Sequence, residues 1–182
     1  MIVYDKTMIL EQLSIHILYE YNDFLENMIY QWKEQRDVAL RQSFIQLYVK
    51  QINRKYKNYT IVFMPSSENK TKMRGFHSLE QLYLDVSLPK VHLFEKIGDH
   101  KQSIQGFDKR KEINKYIKLK EGVMIPQTPL LLVDDVCTSG STLLHAYFLL
   151  QGHKYKIKAL VLCANHRLIH RRISKIDKLL GR

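Results

Sequence analysis

The sequence has few of the residues that crosslink or interrupt a chain. Its 182 residues include two cysteines, seven glycines and four prolines. Cys137 and Cys163 lie far apart without paired spacing, which excludes a zinc site made by cysteines alone and gives no sign of a secreted disulfide framework. The low glycine and proline contents exclude a collagen-like or low-complexity chain. Because we find no repeat and no flexible linker, we expect one domain over residues 1–182.

Long apolar runs and acidic residues are also scarce. No apolar run approaches the roughly 18 residues of a membrane span, and the N-terminus shows no signal-peptide pattern, so we expect a cytoplasmic protein. The chain has 29 Lys and Arg against 18 Asp and Glu, a formal net charge of +11. Such an excess indicates nucleic acid, phosphorylated metabolites or the acidic inner face of a membrane as partners, or a soluble protein that is simply basic.

Short apolar segments alternate with amphipathic ones, which predicts an α/β fold with a mostly parallel sheet flanked by helices. The strand at 15–21 alternates and is expected to be half-buried, whereas the later ones are apolar on both faces. Asn22 is expected to cap a helix whose inner face carries Phe24, Leu25, Met28, Ile29 and Trp32. A second helix over 38–51 is expected to turn Leu40, Phe44 and Leu47 inward. The remaining predicted elements are strands at 60–64, 91–94, 130–133 and 157–163, and helices around 79–86 and over 141–151.

Residues 130–142 read LLLVDDVCTSGST and carry the clearest chemical pattern. An apolar strand runs into two carboxylates, Asp134 and Asp135, then into a hydroxyl-rich turn and a helix. The carboxylates could accept hydrogen bonds from a vicinal diol near a divalent cation, while the turn and helix N-terminus offer N–H groups to a phosphate. Diol and phosphate together describe a ribose 5-phosphate. The alternative is a turn in which the aspartates only cap the helix.

The whole stretch closely resembles the 5-phosphoribosyl 1-diphosphate (PRPP) motif of type I phosphoribosyltransferases. Residues 64–77, MPSSENKTKMRGFH, follow another apolar strand and contain Lys70, Lys72 and Arg74. Alone they read as an exposed basic loop, but beside a PRPP-like motif they become the candidate loop for a diphosphate. A third segment, 96–120, has seven basic and two acidic residues over its part 101–120 and reads equally well as a solvated basic face.

The order of these elements resembles the ComF (ComFC) late-competence family of phosphoribosyltransferase-like proteins. The elements are Tyr21 to Leu25, Arg74-Gly75-Phe76, Gln102 after Lys101, Arg110 with Asn114, and residues 134–142. The similarity covers roughly residues 15–163. It implies a type I phosphoribosyltransferase fold and a role in natural transformation, in bringing single-stranded DNA into the cytoplasm alongside a helicase-like competence ATPase. An active metabolic phosphoribosyltransferase for a purine or pyrimidine acceptor remains the alternative, and a homodimer is among the assemblies left open.

The resemblance also assigns site residues. Asp134 and Asp135 would contact the ribose hydroxyls and Mg²⁺ and are the candidate catalytic residues. The candidate residues around the 5-phosphate are Val136, Cys137, Thr138, Ser139, Gly140, Ser141 and Thr142. Ser66, Lys72 and Arg74 would lie at the diphosphate end.

Three features depart from the family. Its N-terminal four-cysteine zinc ribbon is absent from this sequence, so we expect no zinc; whether the ribbon is lost or lies outside the sequence stays open. His77 stands where many relatives have Asn, and we expect it to be a surface or packing residue rather than a catalyst. The tail, 165–182, is basic with apolar residues at helical spacing, which predicts a helix that packs on the core, lies on acidic lipid or binds nucleic acid.

A basic and aromatic stretch at 48–59 suits single-stranded nucleic acid, although its tyrosines could equally be core residues.

Overall fold

The computed structural model of the protein describes residues 1–97 and 117–170. Its strands are β1 (Ile2–Leu10), β2 (Leu13–Glu20), β3 (Thr60–Phe63), β4 (Lys90–Val91), β5 (Phe94–Lys96), β6 (Ile117–Leu119), β7 (Leu130–Cys137) and β8 (Ile157–Ala164). Its helices are α1 (Asp23–Glu34), α2 (Arg41–Ile45), α3 (Val49–Lys55), α4 (Glu68–Arg74), α5 (Ser78–Leu82), α6 (Ser141–Leu149) and α7 (His166–His170). Two 3-10 turns, Val38–Leu40 and Gln46–Tyr48, adjoin α2.

The main sheet has six strands in the order β1-β2-β8-β7-β3-β4. All neighbouring strands in it are parallel except β1, which runs antiparallel to β2 at the edge. A separate antiparallel pair, β5 and β6, lies outside this sheet. The central strands β3, β7 and β8 are apolar along most of their length because helices cover both faces of a parallel sheet. The predicted α/β fold with a mostly parallel sheet flanked by helices is confirmed.

β2 is buried on both faces, so the prediction of a half-buried strand is wrong. Ile15, Ile17 and Tyr19 are buried, as alternation predicts, but His16 and Leu18 between them are buried as well. The reason is tertiary: Tyr56, at the end of α3, covers the face that carries His16, and its hydroxyl lies 3.2 Å from His16 Nδ1.

α1 forms as predicted, with Asn22 as its N-cap. The Asn22 side-chain oxygen accepts a hydrogen bond from the Leu25 N–H at 2.9 Å. Leu25, Ile29 and Trp32 are buried, as expected for an amphipathic face. Phe24 is 58% exposed, so its predicted inward position is wrong.

The single helix predicted over 38–51 is instead four short pieces, the two 3-10 turns alternating with α2 and the start of α3. Phe44 is buried against Trp32, with ring centroids 5.3 Å apart. Leu47 is 86% exposed and not inward. A 3-10 turn has three residues per turn rather than 3.6, so Gln46–Tyr48 shifts the helical phase and turns Leu47 to the surface.

The other predicted elements form with changed bounds. The strand predicted at 91–94 is interrupted: Val91 ends β4 and Phe94 begins β5, in a different sheet, with residues 92 and 93 between them. The loop predicted at 65–77 contains α4, and the strand predicted at 130–133 continues to Cys137. Within residues 1–97 and 117–170 no helix combines the length and apolar character needed to cross a membrane. Most of the basic segment 101–120 and the tail from 171 onward lie outside the described residues, so the predictions made there stay predictions.

Candidate functional site

Two loops that the sequence singles out lie at the same edge of the sheet. β3 and β7 are adjacent and parallel, with Val62 paired to Leu132 and Phe63 to Val133. The Met64 N–H donates to the Val133 carbonyl at 3.0 Å, which extends the contact beyond β3. Because the carboxyl ends of parallel strands share an edge, the segments after β3 and β7 both lie toward the edge where α/β folds bind ligands, although β7 continues to Cys137, beyond its last pair with β3 at Val133.

The acidic pair lies inside the last part of β7, where both residues are half-buried. Asp134 Oδ1 accepts a hydrogen bond from the Asp135 N–H at 2.9 Å, and Asp135 Oδ1 accepts one from the Val136 N–H at 2.8 Å. Lys33, on α1, forms an ion pair with Asp135 Oδ2. The orientation of the Asp135 carboxylate is therefore fixed by contacts to both of its oxygens.

The charge of the pair is held in a poorly solvated place. Burial, and then the neighbouring charge of Asp135, raise the pKa of Asp134 to about 7, while Lys33 and Lys96 act in the opposite direction. Asp134 therefore changes protonation state near neutral pH, which is typical of carboxyl groups at functional sites.

The turn after β7 exposes hydroxyl groups beside a helix N-terminus. Thr138, Ser139 and Thr142 are exposed, and Ser139 Oγ is hydrogen-bonded to Ser141 Oγ. The first N–H groups of α6, a nine-residue helix, have no carbonyl of the preceding turn to bind and can bind an anion.

Gly140 is the N-cap of α6 and has a φ of 77°, in the left-handed region that favours glycine. A Cβ at this position would also collide with the Leu10 side chain of β1. The turn therefore needs glycine for its backbone and for the close approach of β1. Cys137, just before it, is buried, and burial raises the pKa of its thiol to about 12, so only its backbone can contact a ligand at this edge.

A cavity of about 540 Å³ is lined by residues of the segment after β3, whereas none of residues 134–142 lines it. Ser66 and Lys72, which the sequence assigns to a diphosphate, both line it. His77, from the same segment, also lines it, and the structure adds His92, Lys96 and Lys120 from elsewhere in the chain. The charge of Asp135 acts to raise the pKa of His77, and the charge of Lys96 acts to lower the pKa of Asp134. Residues that line the cavity therefore interact electrostatically with the acidic pair.

His77 has a structural role, in keeping with the expectation for it. Its Nδ1 accepts a hydrogen bond from the Glu80 N–H at 3.4 Å and caps α5. Its ring lies 4.9 Å from that of His92, whose Nε2 is 2.6 Å from Glu80 Oε1. Burial, and then the nearby His92, lower the pKa of His77. The pairing of β4 with β3 brings His92 to this cavity, so the sequence around His92 does not indicate its position there.

Arg74 lies apart from the residues that line the cavity. It forms an ion pair with Glu34 and its side chain is only 11% exposed. Arg36 donates to the neighbouring Met73 carbonyl. Because Glu34 and Arg36 belong to the end of α1 and the residues after it, these contacts fasten α4 to α1.

The basic and aromatic stretch at 48–59 does not present the rings that its composition suggested for base stacking. Tyr48 and Tyr56 are buried. Tyr59 packs edge-on against Tyr56, with ring centroids 5.4 Å apart. The alternative, that these tyrosines are core residues, holds for Tyr48 and Tyr56.

The donor set at the acidic pair fits Mg²⁺ in one particular way. Among the described residues there is no group of three or more His, Cys, Asp or Glu side chains able to hold a metal by themselves. Mg²⁺, however, is usually held by one or two carboxylates together with the phosphates of a ligand. Asp134 and Asp135 can supply that share of the ligands, and the hydroxyl-rich turn beside them can hold the phosphate.

Comparison with known proteins gives one sequence relative and several structures. No family model matches the chain. Competence protein ComFC of Streptococcus pneumoniae (strain ATCC BAA-255 / R6) is 28% identical to it over 130 residues. The match covers 71% of this chain and 58% of that protein, so the chain spans less than two thirds of the relative's length.

The similar solved structures are phosphoribosyltransferases. Adenine phosphoribosyltransferase from Saccharomyces cerevisiae is 14% identical, with a TM-score of 0.49 and coverage of 76% of each chain. Orotate phosphoribosyltransferase from Aeropyrum pernix is 14% identical, with a TM-score of 0.43 and coverage of 78% of this chain and 68% of that one. With the ComFC relative and the α/β topology described above, the resemblance of this chain to the ComF (ComFC) late-competence family, with its type I phosphoribosyltransferase-like fold, is confirmed.

Proposed function

We propose that this chain binds PRPP or ribose 5-phosphate together with Mg²⁺ at residues 134–142 and acts in natural competence, in the uptake of single-stranded DNA. The observation that carries the binding proposal is the acidic pair at the end of β7, which leads into an exposed hydroxyl-rich turn and the N-terminus of α6. The competence role rests on the similarity to ComFC.

The ribose end of the ligand fits the acidic pair, and the 5-phosphate fits the turn. Ionised carboxylates accept hydrogen bonds from the two hydroxyls of a ribose, and Asp135 is already oriented for this by its contacts. The phosphate would receive N–H groups from the start of α6 and hydroxyl groups from Thr138, Ser139 and Thr142.

The diphosphate end fits the adjoining cavity. Its lysines, Lys72, Lys96 and Lys120, come from three separate parts of the chain and face a common space large enough for a small phosphorylated ligand. Ser66, in the segment after β3, offers a hydroxyl to the same cavity. When bound, Mg²⁺ would neutralise part of the negative charge of the ligand and tie it to the acidic pair.

Turnover is a further step beyond binding. The cavity lysines would stabilise a departing diphosphate electrostatically, and the acidic pair would stabilise positive charge on the ribose ring. A metabolic phosphoribosyltransferase acting on a purine or pyrimidine is the alternative function that the fold class supports, but fold does not establish an acceptor.

The test is calorimetric titration with PRPP and Mg²⁺ of the wild-type protein and of the variant D134A/D135A. We expect binding in the wild type and its loss in the variant, because the contacts to the ribose and the metal are removed. The exposed Asp37→Ala serves as a matched control and should bind like the wild type. PRPP affinity that survives in a folded D134A/D135A protein would overturn the site assignment.

The same titration repeated with a single-stranded oligonucleotide separates the two functions. Binding of both DNA and PRPP supports the competence role. In that role the chain would act in the cytoplasm, alongside a helicase-like ATPase. Tight PRPP binding in a protein without DNA affinity favours the metabolic enzyme and calls for a screen of acceptor bases.

A further inference from the structure

Lys33 reaches the acidic pair from a distant part of the chain. It lies in the last turn of α1, 102 residues before Asp135, and its ammonium contacts Asp135 Oδ2. Both side chains are only 15% exposed. An ion pair shielded from water in this way is energetically costly to break, because each partner would be left with an uncompensated charge.

We propose that Lys33 is the resident cation of the acidic pair and prevents a free divalent cation from binding there, so that Mg²⁺ enters only together with a phosphorylated ligand. The inference takes the acidic pair from the proposed function as the place where the metal would bind. It assigns Lys33 as a specificity-determining residue of that site.

The oxygen atoms of the pair show why a bare cation is disfavoured. Oδ1 of Asp134 and Oδ1 of Asp135 each accept a backbone N–H, and Oδ2 of Asp135 is bound by Lys33. Mg²⁺ gives up its water ligands reluctantly, so it needs strong oxygen donors in exchange. To gain them from Asp135 it must displace a buried ammonium.

Charge adds to this barrier. Even with both carboxylates ionised, the one ammonium leaves a net charge of at most −1 for a divalent cation to meet, and Lys96 adds positive charge nearby. A phosphorylated ligand brings several negative oxygens of its own. It can therefore supply the charge and the ligands that the acidic pair lacks while Lys33 stays in place or turns toward a phosphate.

Contacts other than that of Lys33 hold α1 on the sheet. Leu25, Ile29 and Trp32 bury the apolar face of α1, and Glu34 ties its end to α4. The ion pair to Asp135 is an additional contact, directed at a strand end that carries two adjacent carboxylates.

The test measures Mg²⁺ alone, by calorimetric titration without any phosphorylated ligand. We expect weak binding to the wild type and an affinity higher by about tenfold or more in Lys33→Met, since the competing charge a few ångströms away is gone. Lys33→Arg keeps the positive charge and should behave like the wild type. Adding Asp135→Asn to Lys33→Met should abolish the gain, which locates the new affinity at the pair.

Lys33→Gln covers the case in which Lys33→Met does not fold, because glutamine can still donate a hydrogen bond to Asp135. A folded variant without the lysine charge that binds Mg²⁺ no better than the wild type overturns the proposal.

The wild type alone supplies an independent measurement, the labelling of Lys33 by an amine-reactive reagent followed by mass spectrometry. We expect millimolar Mg²⁺ to leave the labelling of Lys33 unchanged, and an increase on addition of Mg²⁺ alone overturns the proposal. Because these experiments use the metal alone, they give an answer whether or not PRPP binds.

Discussion

For the Asp134 side chain, the protonation state that favours folding differs from the one that would bind a ligand. Its ordinary pKa is 3.8, and burial and then Asp135 raise it to about 7 in the folded protein. Between these two pH values the folded state holds a proton that the unfolded state has released. The protonated carboxyl therefore makes its whole contribution to stability below about pH 4, and this contribution is lost as the pH rises through 7. At neutral pH and above, the charge needed for a ligand therefore costs stability.

The variant Asp134→Asn measures that cost. Its amide oxygen can still accept the Asp135 N–H, but it carries no charge at any pH. We expect the variant to gain stability relative to the wild type between pH 5 and pH 8, by about 1–3 kcal/mol, as determined from chemical denaturation at each pH. A constant difference between Asp134→Asn and the wild type across this range would refute the raised pKa.

Between helices, the contact of Glu34 with Arg74 fixes α4 against the end of α1. The Arg74 guanidinium is largely buried and its Nε has no hydrogen-bond partner among the described residues, so it depends on Glu34. We expect Glu34→Gln to lower the free energy of unfolding by about 1 kcal/mol, because a shielded cation loses its anionic partner. Chemical denaturation at neutral pH measures the change.

The same helix supplies a matched control. Lys72 and Glu68 form an ion pair at 3.9 Å on α4, with side chains 78% and 88% exposed. Solvent screens such a pair, so Glu68→Gln should change stability by less than about 0.5 kcal/mol. If Glu34→Gln and Glu68→Gln had equal effects, Arg74 would not depend on its partner and the attachment of α4 to α1 would have to rest on other contacts.

At the scale of the whole molecule, the sequence predicted well what depends on local pattern. The apolar strands and the capping of α1 by Asn22 follow from side-chain periodicity and a single hydrogen bond, and both appear in the structure. The burial of both faces of β2 could not be predicted, because the contact that covers His16 comes from Tyr56, 40 residues later in the chain. The exposure of Leu47 depends on a 3-10 turn that no propensity marks.

As with the fold, part of the candidate site can be predicted from local sequence and part depends on tertiary contacts. Residues 134–142 are contiguous, so a motif is enough to find them. Lys33 and His92 come from elements that meet the site only in the folded protein, and the sequence held no signal for either. Arg74 was assigned to the diphosphate from its position in the motif, but its side chain is directed to Glu34.

The surface charge of the molecule leads to a last prediction, about single-stranded DNA. With Tyr48 and Tyr56 buried, the stretch at 48–59 offers exposed cations such as Arg54 and Lys57 rather than stacking rings. Binding there would be electrostatic, so the logarithm of the affinity should fall linearly with the logarithm of the salt concentration. The variant R54Q/K57Q should reduce that slope by about 2, roughly one for each lost phosphate contact.

Fluorescence anisotropy with a labelled oligonucleotide at several salt concentrations measures this slope. Lys72→Gln is the matched control: it removes an exposed cation from the cavity beside the acidic pair, so it should weaken PRPP binding and leave the DNA slope unchanged. Affinity that does not vary with salt would exclude a phosphate-backbone contact. A slope that R54Q/K57Q leaves intact would mean that the DNA is bound by cations elsewhere in the chain, since the charge lost at 54 and 57 would then not face the phosphates.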